Sequence, residues 1–140
     1  MASSENKEIT VRRILYCCVS RGVVILCEYS ESEQKENFRK EAFEIFKKPI
    51  KPGMLFLQKE QYDILLDKEE ETKLIYYIVI EKAFNKGTAY DMIQRMKSRF
   101  LAITIPKVVQ NAKAFALNPD FAGELRALHV EKHDERHCIQ

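Results

Sequence analysis

Two apolar runs near the start of the chain, residues 14–19 and 23–27, constrain its fold more than any other feature. Only Ser20-Arg21-Gly22 separates them, so the pattern predicts a β-hairpin. Every residue of both runs is apolar, β-branched, aromatic or cysteine, whereas a strand with one solvent face would alternate apolar with polar residues. Both faces of the hairpin must therefore be covered. A short chain does this with helices on each side of a sheet, so further strands and at least one helix per face are expected.

Composition indicates a single soluble, cytosolic domain. Of the 140 residues, 46% are apolar and 31% are charged, which is ordinary for one globular core. The net charge of +2 gives no sign of a nucleic-acid-binding protein. No apolar run approaches the roughly 18 residues that can span a bilayer. Residues 1–12 lack the apolar core of a signal peptide and are expected to form a disordered polar tail.

The cysteines are predicted to be reduced. They are Cys17, Cys18, Cys27 and Cys138. A hairpin that turns at Arg21-Gly22 places Cys18 opposite Ile25 and Cys27 opposite Tyr16, so no two cysteines face each other. A three-residue turn does not pair them either. These thiols are expected to act as small apolar side chains in the core.

After the hairpin, the sequence predicts a helix followed by three strands. The first helix carries an apolar stripe at helical spacing and ends before Pro49; the stripe comprises Phe38, Ala42, Ile45 and Phe46. Phe43 lies about 100° from the centre of that stripe, which places it on the flank of the helix. Short strands are predicted at 54–57 and 62–66. The run 74–80 has no polar residue and is expected to lie in the middle of the sheet.

Two helices and a weaker segment complete the chain. The second helix, from Thr88, has one apolar face, made of Ala89, Met92, Ile93, Met96 and Phe100. Thr104 caps a third helix with Pro106 in its first turn, and its stripe is Ile105, Val108, Val109, Ala112 and Ala116. Asn118-Pro119 interrupts the chain. A weak amphipathic segment follows, carrying Phe121, Leu125 and Leu128.

The order of these elements and three stretches of sequence resemble the longin domain, the N-terminal regulatory domain of a group of vesicle-side (R-type) SNARE proteins. The run FNKGTAYDMIQRMKSRF at 84–100 resembles the longin helix pattern, and ILYCCVSRGVVILCEYS at 14–30 resembles the family's first hairpin. ALNPDF at 116–121 resembles the linker of the longin-bearing vesicle-associated membrane proteins. The resemblance also moves the expected start of the second helix toward Phe84.

The resemblance implies an α/β (α+β) fold of longin/profilin type. This is a five-stranded, mostly antiparallel sheet between one helix on one face and two helices on the other. Residues 13–117 would form the longin domain, after the polar tail 1–12, and 118–140 the linker or start of a SNARE-proximal segment. Neither heptads nor a membrane anchor occur before Gln140, and Cys138 is third from the end where prenylation requires the fourth position.

The function implied by the resemblance is regulation and sorting of an R-SNARE-like protein in vesicle trafficking and membrane fusion, on the cytosolic face of endomembranes. Partners would be SNARE proteins or the protein's own SNARE segment, and coat, adaptor or sorting proteins. Binding would use an apolar groove at an edge strand, lined by Phe43, Met54, Phe56 and Leu57. Phe121, Leu125 and Leu128 would begin an autoinhibitory segment that folds back on the domain.

A second interpretation is a constitutive small subunit of a trafficking assembly, such as a clathrin-adaptor small chain or a sedlin-like tethering subunit. Such a subunit would keep a packed helix to its end, whereas residues 131–140 have few apolar side chains. No phosphate-binding loop, nucleophile motif or Cys-x-x-Cys motif indicates an enzyme, and no cofactor is expected. His129, His133 and His137 have helical ligand spacing, but a solvated tail without metal is favoured.

Overall fold

A computed structural model describes residues 13–103, 112–118, 123 and 125–127, and its centre is a five-stranded antiparallel sheet. The strands are β1 (Ile14–Arg21), β2 (Val24–Tyr29), β3 (Gly53–Gln58), β4 (Tyr62–Lys68) and β5 (Leu74–Glu81). Two helices are described, α1 (Lys35–Phe46) and α2 (Lys86–Ile103). The strand order is β2-β1-β5-β4-β3, so β2 and β3 are the edges. The predicted α/β fold class is confirmed. Most of the predicted third helix lies outside the described residues, but its predicted end at Ala112 and Ala116 is wrong, because residues 112–117 are not helical.

The sheet is buried on both faces because α1 packs on one face and α2 on the other. Side chains of the inner strands alternate between two cores. The core on the α1 face includes Tyr16, Cys18, Ile64, Leu66, Tyr77 and Val79. The core on the α2 face includes Cys17, Val19, Leu65, Tyr76, Ile78 and Ile80. The uninterrupted apolar runs in β1 and β5 are thus explained, since both strands lie inside the sheet and neither has a solvent face.

The hairpin forms where predicted, but its register differs from the expected one. β1 ends at Arg21, which pairs with Val24, so the two-residue turn begins at Gly22, whose φ is +60°. A bulge then leaves Leu26 without a partner on β1. The expected pairings of Cys18 with Ile25 and of Cys27 with Tyr16 are therefore wrong. Cys18 pairs with Glu28, and Cys27 pairs with Val19.

The cysteines of the hairpin remain unpaired in this register. Cys17, Cys18 and Cys27 are free and buried, in agreement with their predicted place as small apolar side chains in the core. Burial raises the pKa of the Cys27 thiol to about 12, so it stays protonated and poorly nucleophilic near neutral pH. Cys138 lies outside the described residues.

Both described helices follow the predicted periodicity. In α1, Phe38, Ala42 and Phe46 are buried, whereas Phe43 is 41% exposed on the flank. The predicted apolar face of α2 is fully buried from Ala89 to Phe100. The helix begins at Lys86 because the side-chain oxygen of Asn85 accepts the backbone N–H of Thr88 at 2.9 Å. Neither described helix combines the length and the apolar character needed to cross a membrane.

Candidate binding surfaces at the two sheet edges

Within Gly53–Gln58, β3 has no proline, no charged side chain and no bulge, three features that commonly protect an edge strand. Its register with β4 is uninterrupted over this range. Met54 is 38% exposed and Leu55 is 40% exposed. Edge strands are commonly shielded by lysine, proline or a bulge, because unpaired backbone groups recruit other strands. This edge is therefore suited to pairing with an extended segment of another molecule.

Phe43 does not share a groove with Met54 and Phe56, so the single apolar groove expected from the sequence is wrong. Phe56 packs against the core on the α2 face, and Met54 is on the same face of β3 by alternation. Leu57 packs against the core on the α1 face. Phe43 lies on the α1 face too, but beside β2 at the opposite edge of the sheet.

Lys86 of α2 contacts the aromatic side chain of β3. Its Nζ lies 4.5 Å from the centre of the Phe56 ring, a distance at which an ammonium is attracted to the face of an aromatic ring. This contact and the core packing leave Phe56 half-buried. Met54 and Leu55 are thus the more accessible apolar side chains of this edge.

The other edge of the sheet, β2, is occupied by a segment from the C-terminal part of the chain. We call residues 113–118 the strap. The backbone N–H of Phe115 donates to the Ile25 carbonyl at 2.7 Å, and that of Leu117 donates to the Leu26 carbonyl at 3.0 Å. The side-chain oxygen of Asn118 accepts the backbone N–H of Glu28 at 2.9 Å. These hydrogen bonds shield the backbone of β2.

The strap straddles the edge of the sheet, because two of its side chains pack on opposite faces. Phe115 packs against the core on the α1 face, whereas Leu117, only 4% exposed, enters the core on the α2 face. In a regular extended segment, side chains two residues apart would share a face. The strap instead forms two turns, in which the Ala116 N–H donates to the Lys113 carbonyl and the Asn118 N–H donates to the Phe115 carbonyl. The left-handed backbone of Phe115, with φ at +60°, accounts for the change of face.

A buried carboxylate connects this edge to α1. The side chain of Glu28 is 1% exposed and accepts the Tyr16 hydroxyl at 2.6 Å. The Arg39 guanidinium, on α1, donates from Nε to both carboxylate oxygens at 3.1 Å. The carbon at the centre of that guanidinium lies 4.9 Å from the centre of the Phe115 ring. Arg39 therefore joins the carboxylate of β2 to the aromatic side chain of the strap.

Phe43 lines a cavity of about 390 Å³ between α1, the start of β2 and the strap. We call this cavity the Phe43 pocket, and its apolar walls come from Val23, Ile25, Phe43, Ala114 and Phe115. Phe115, which belongs to the strap, forms one wall. The Phe43 pocket is thus complete only when the strap lies on β2.

Helical periodicity identified Phe43 but not the groups that surround it. Arg39, Phe115 and Glu28 were missed. One signal was present, since Glu28 is a charged residue directly after an apolar run that is buried on both faces. A buried carboxylate requires a cation or hydrogen-bond donors, which could have directed attention to the basic residues of α1. No local sequence feature indicates that Phe115 is a neighbour of Phe43.

The predicted autoinhibitory residues are only partly described. Leu125 is fully buried in the same core as Leu117, on the α2 face, and residues 125–127 are helical. Phe121 and Leu128 lie outside the described residues, as do His129, His133 and His137. Within the described ranges, no group of three His, Cys, Asp or Glu side chains is arranged to hold a metal ion.

The strained backbone of Phe115 gives a testable expectation for stability. Replacing Phe115 by glycine or by alanine removes the same ring, but only glycine adopts positive φ without strain. We expect Phe115→Gly to be more stable than Phe115→Ala by about 1 kcal/mol, measured by urea denaturation. The control is the same pair of changes at Lys40 in α1, where glycine should instead be less stable by about 1 kcal/mol. Equal stability of the two Phe115 variants would show that the left-handed backbone is not held in solution.

In sequence comparisons, no family model matches this chain and no curated protein is significantly similar to it. Function is therefore inferred from the residues and geometry of the chain itself.

Proposed function

We propose that this chain is the longin-type regulatory and sorting domain of an R-SNARE-like protein in vesicle trafficking and membrane fusion. The observation that carries the proposal is the uninterrupted β3 edge, with Met54 and Leu55 exposed on its two faces. A SNARE segment or sorting partner that binds there gains main-chain hydrogen bonds from the edge and apolar contacts from these side chains. No catalytic step is part of this proposal.

The order of the elements also supports a longin-type domain. A hairpin, a helix, three strands and a long helix follow one another along the chain, in agreement with the order of the resemblance. The run 84–100, which carries the strongest resemblance, supplies most of α2 and its buried face. In this proposal the domain works on the cytosolic face of endomembranes and reaches the membrane through its partners or through sequence outside this chain.

A charge on the β3 edge tests the proposal. Leu55→Lys introduces the residue that natural edge strands use against pairing, at a side chain that is already 40% exposed. We expect binding of a synthetic R-SNARE heptad peptide to weaken at least about tenfold, which corresponds to about 1.4 kcal/mol. The measurement is a titration of the isotopically labelled chain by NMR, with shifts expected at Met54 and Leu57.

Two control variants separate this edge from other exposed apolar sites. Leu101→Lys changes a side chain on α2 that is 46% exposed, and Phe43→Lys changes one beside β2 that is 41% exposed. Both should retain the affinity of the unmodified chain. If Phe43→Lys alone abolishes binding, the partner site is the Phe43 pocket and the assignment to β3 is wrong.

A second candidate is a constitutive small subunit of an adaptor or tethering complex, and the burial of Leu125 is in agreement with it. Leu125 is fully buried with Leu117, so part of the chain beyond the strap packs on the domain, as a permanent subunit requires. The same packing fits a segment that folds back to inhibit. Hydrogen exchange separates the two functions: amides at 125–127 should lose protection when partner peptide binds a regulated domain, and keep it in a constitutive subunit.

A further inference from the structure

The bulge in β2 gives this edge an arrangement of hydrogen-bond acceptors that a regular strand does not have. In a regular strand, successive carbonyls point to opposite neighbours. Here the carbonyls of Ile25 and Leu26, which are adjacent, both accept hydrogen bonds from the strap. The bulge at Leu26 turns one of them outward. The edge therefore presents two neighbouring acceptors to the outside.

The contacts of the strap define what a segment must carry to use those acceptors. It needs an aromatic ring to lie against the guanidinium of Arg39. Two residues later it needs a leucine to fill the core on the α2 face, as Leu117 does. Directly after the leucine it needs a side-chain acceptor for the Glu28 N–H, which Asn118 supplies. The pattern is aromatic, any residue, leucine, asparagine.

We infer that the β2 edge is a second binding site of this domain, selective for a segment that presents that pattern in the turn conformation of the strap, and that the strap is its resident occupant. The partner is a protein segment presenting an aromatic residue, a leucine two positions later and an asparagine directly after it. Phe115 also forms a wall of the Phe43 pocket. When such a partner segment displaces the strap, its aromatic residue replaces that wall.

The strap is suited to exchange with a partner segment. It is held by the described hydrogen bonds, the burial of Leu117 and the stacking of Phe115, and the positive φ of Phe115 opposes its docking. A tethered segment also competes at a high effective concentration, of millimolar order for a short connection. A free peptide should therefore bind the unmodified chain weakly and bind more tightly once the contacts of the strap are removed.

The test uses the full chain with Phe115→Ala and Asn118→Ala combined, so that the ring and the side-chain acceptor of the strap are lost. The probe is a synthetic peptide with the sequence from Ala112 to Asn118, titrated by NMR. We expect at least about tenfold tighter binding to the double variant than to the unmodified chain. Changes in NMR chemical shift should appear at Ile25, Glu28 and Arg39. The single variant Phe115→Ala serves if the double variant unfolds, which the protection of β5 amides reports.

The control peptide has the same length, with its phenylalanine and leucine replaced by serine, and should not bind. Equal binding of both peptides, or no binding to a folded variant, overturns the inference. Binding of the unmodified chain to the double variant with the same shifts overturns the choice of partner, since a second copy of this chain would then supply the strap. The outcome is independent of the proposed function, because shifts from an R-SNARE peptide are expected at β3, on the opposite edge.

Discussion

Phe100→Ala is expected to lower the free energy of unfolding by about 3–5 kcal/mol, the usual cost of removing a fully buried phenylalanine ring. Phe100 has no exposed surface and belongs to the core on the α2 face. Its ring packs edge-on against Tyr76 of β5, with 6.2 Å between ring centres. Rigid inner strands cannot close the resulting cavity. Thermal denaturation should show a fall in Tm of roughly 10–20 °C.

The neighbouring residue provides a matched control. Leu101→Ala removes a side chain of the same helix that is 46% exposed, and it should change stability by no more than about 0.5 kcal/mol. If the two variants lose similar stability, α2 does not pack on the sheet through the face that carries Phe100. That result would contradict the packing of α2 on the sheet, and not only the expected contribution of the Phe100 side chain to stability.

Arg39→Met is expected to destabilise the chain by about 3 kcal/mol, because it leaves the carboxylate of Glu28 buried without its main cation. The Glu28 side chain is 1% exposed, whereas that of Arg39 is 35% exposed, so the lower end of the usual range applies. Lys35 is the remaining cation, with its Nζ 3.8 Å from the carboxylate. The substitution also removes the contact with Phe115. Denaturation in urea measures the loss.

An exposed ion pair in the same helix serves as the control for this substitution. Lys47→Met breaks the pair with Glu44, whose side chains are 50% and 65% exposed, and should cost no more than about 0.5 kcal/mol. Combining Arg39→Met with Glu28→Gln should recover part of the lost stability, because the buried charge is removed together with its partner. A double variant that is less stable than Arg39→Met alone would show that Glu28 does not depend on Arg39.

The buried network has a consequence for both proposed sites. Arg39, on α1, contacts both Glu28 of β2 and Phe115 of the strap. Displacement of the strap therefore changes the contacts of α1 through the Arg39 side chain. The β3 edge makes no described contact with this network and lies across the sheet from it. Binding at the two edges is therefore expected to be separable by mutation.

The candidate surfaces could be predicted from the sequence only in part. Phe43 was placed on the flank of α1 by helical periodicity, and its 41% exposure agrees with that position. Its neighbours could not be inferred in the same way. Helical periodicity gives the direction of a side chain relative to its own helix, but not the strand that the flank of the helix meets. For this reason Phe43 was grouped with Met54 and Phe56, which lie at the opposite edge.

The sequence by itself determined the five strands, the two described helices and the covering of the sheet on both faces, but it wrongly extended a third helix to Ala116. Uninterrupted apolar runs and helical spacing are local properties, and local sterics and solvation are enough to convert them into elements. Only the tertiary structure decided the bulge at Leu26, the left-handed backbone of Phe115 and the docking of the strap on β2. These features depend on contacts between residues far apart in the chain, such as Glu28 and Asn118, which are 90 positions apart. No local sequence pattern predicts these contacts. They form because the backbone groups of a buried strand edge and a buried carboxylate both require hydrogen-bond partners in the folded core.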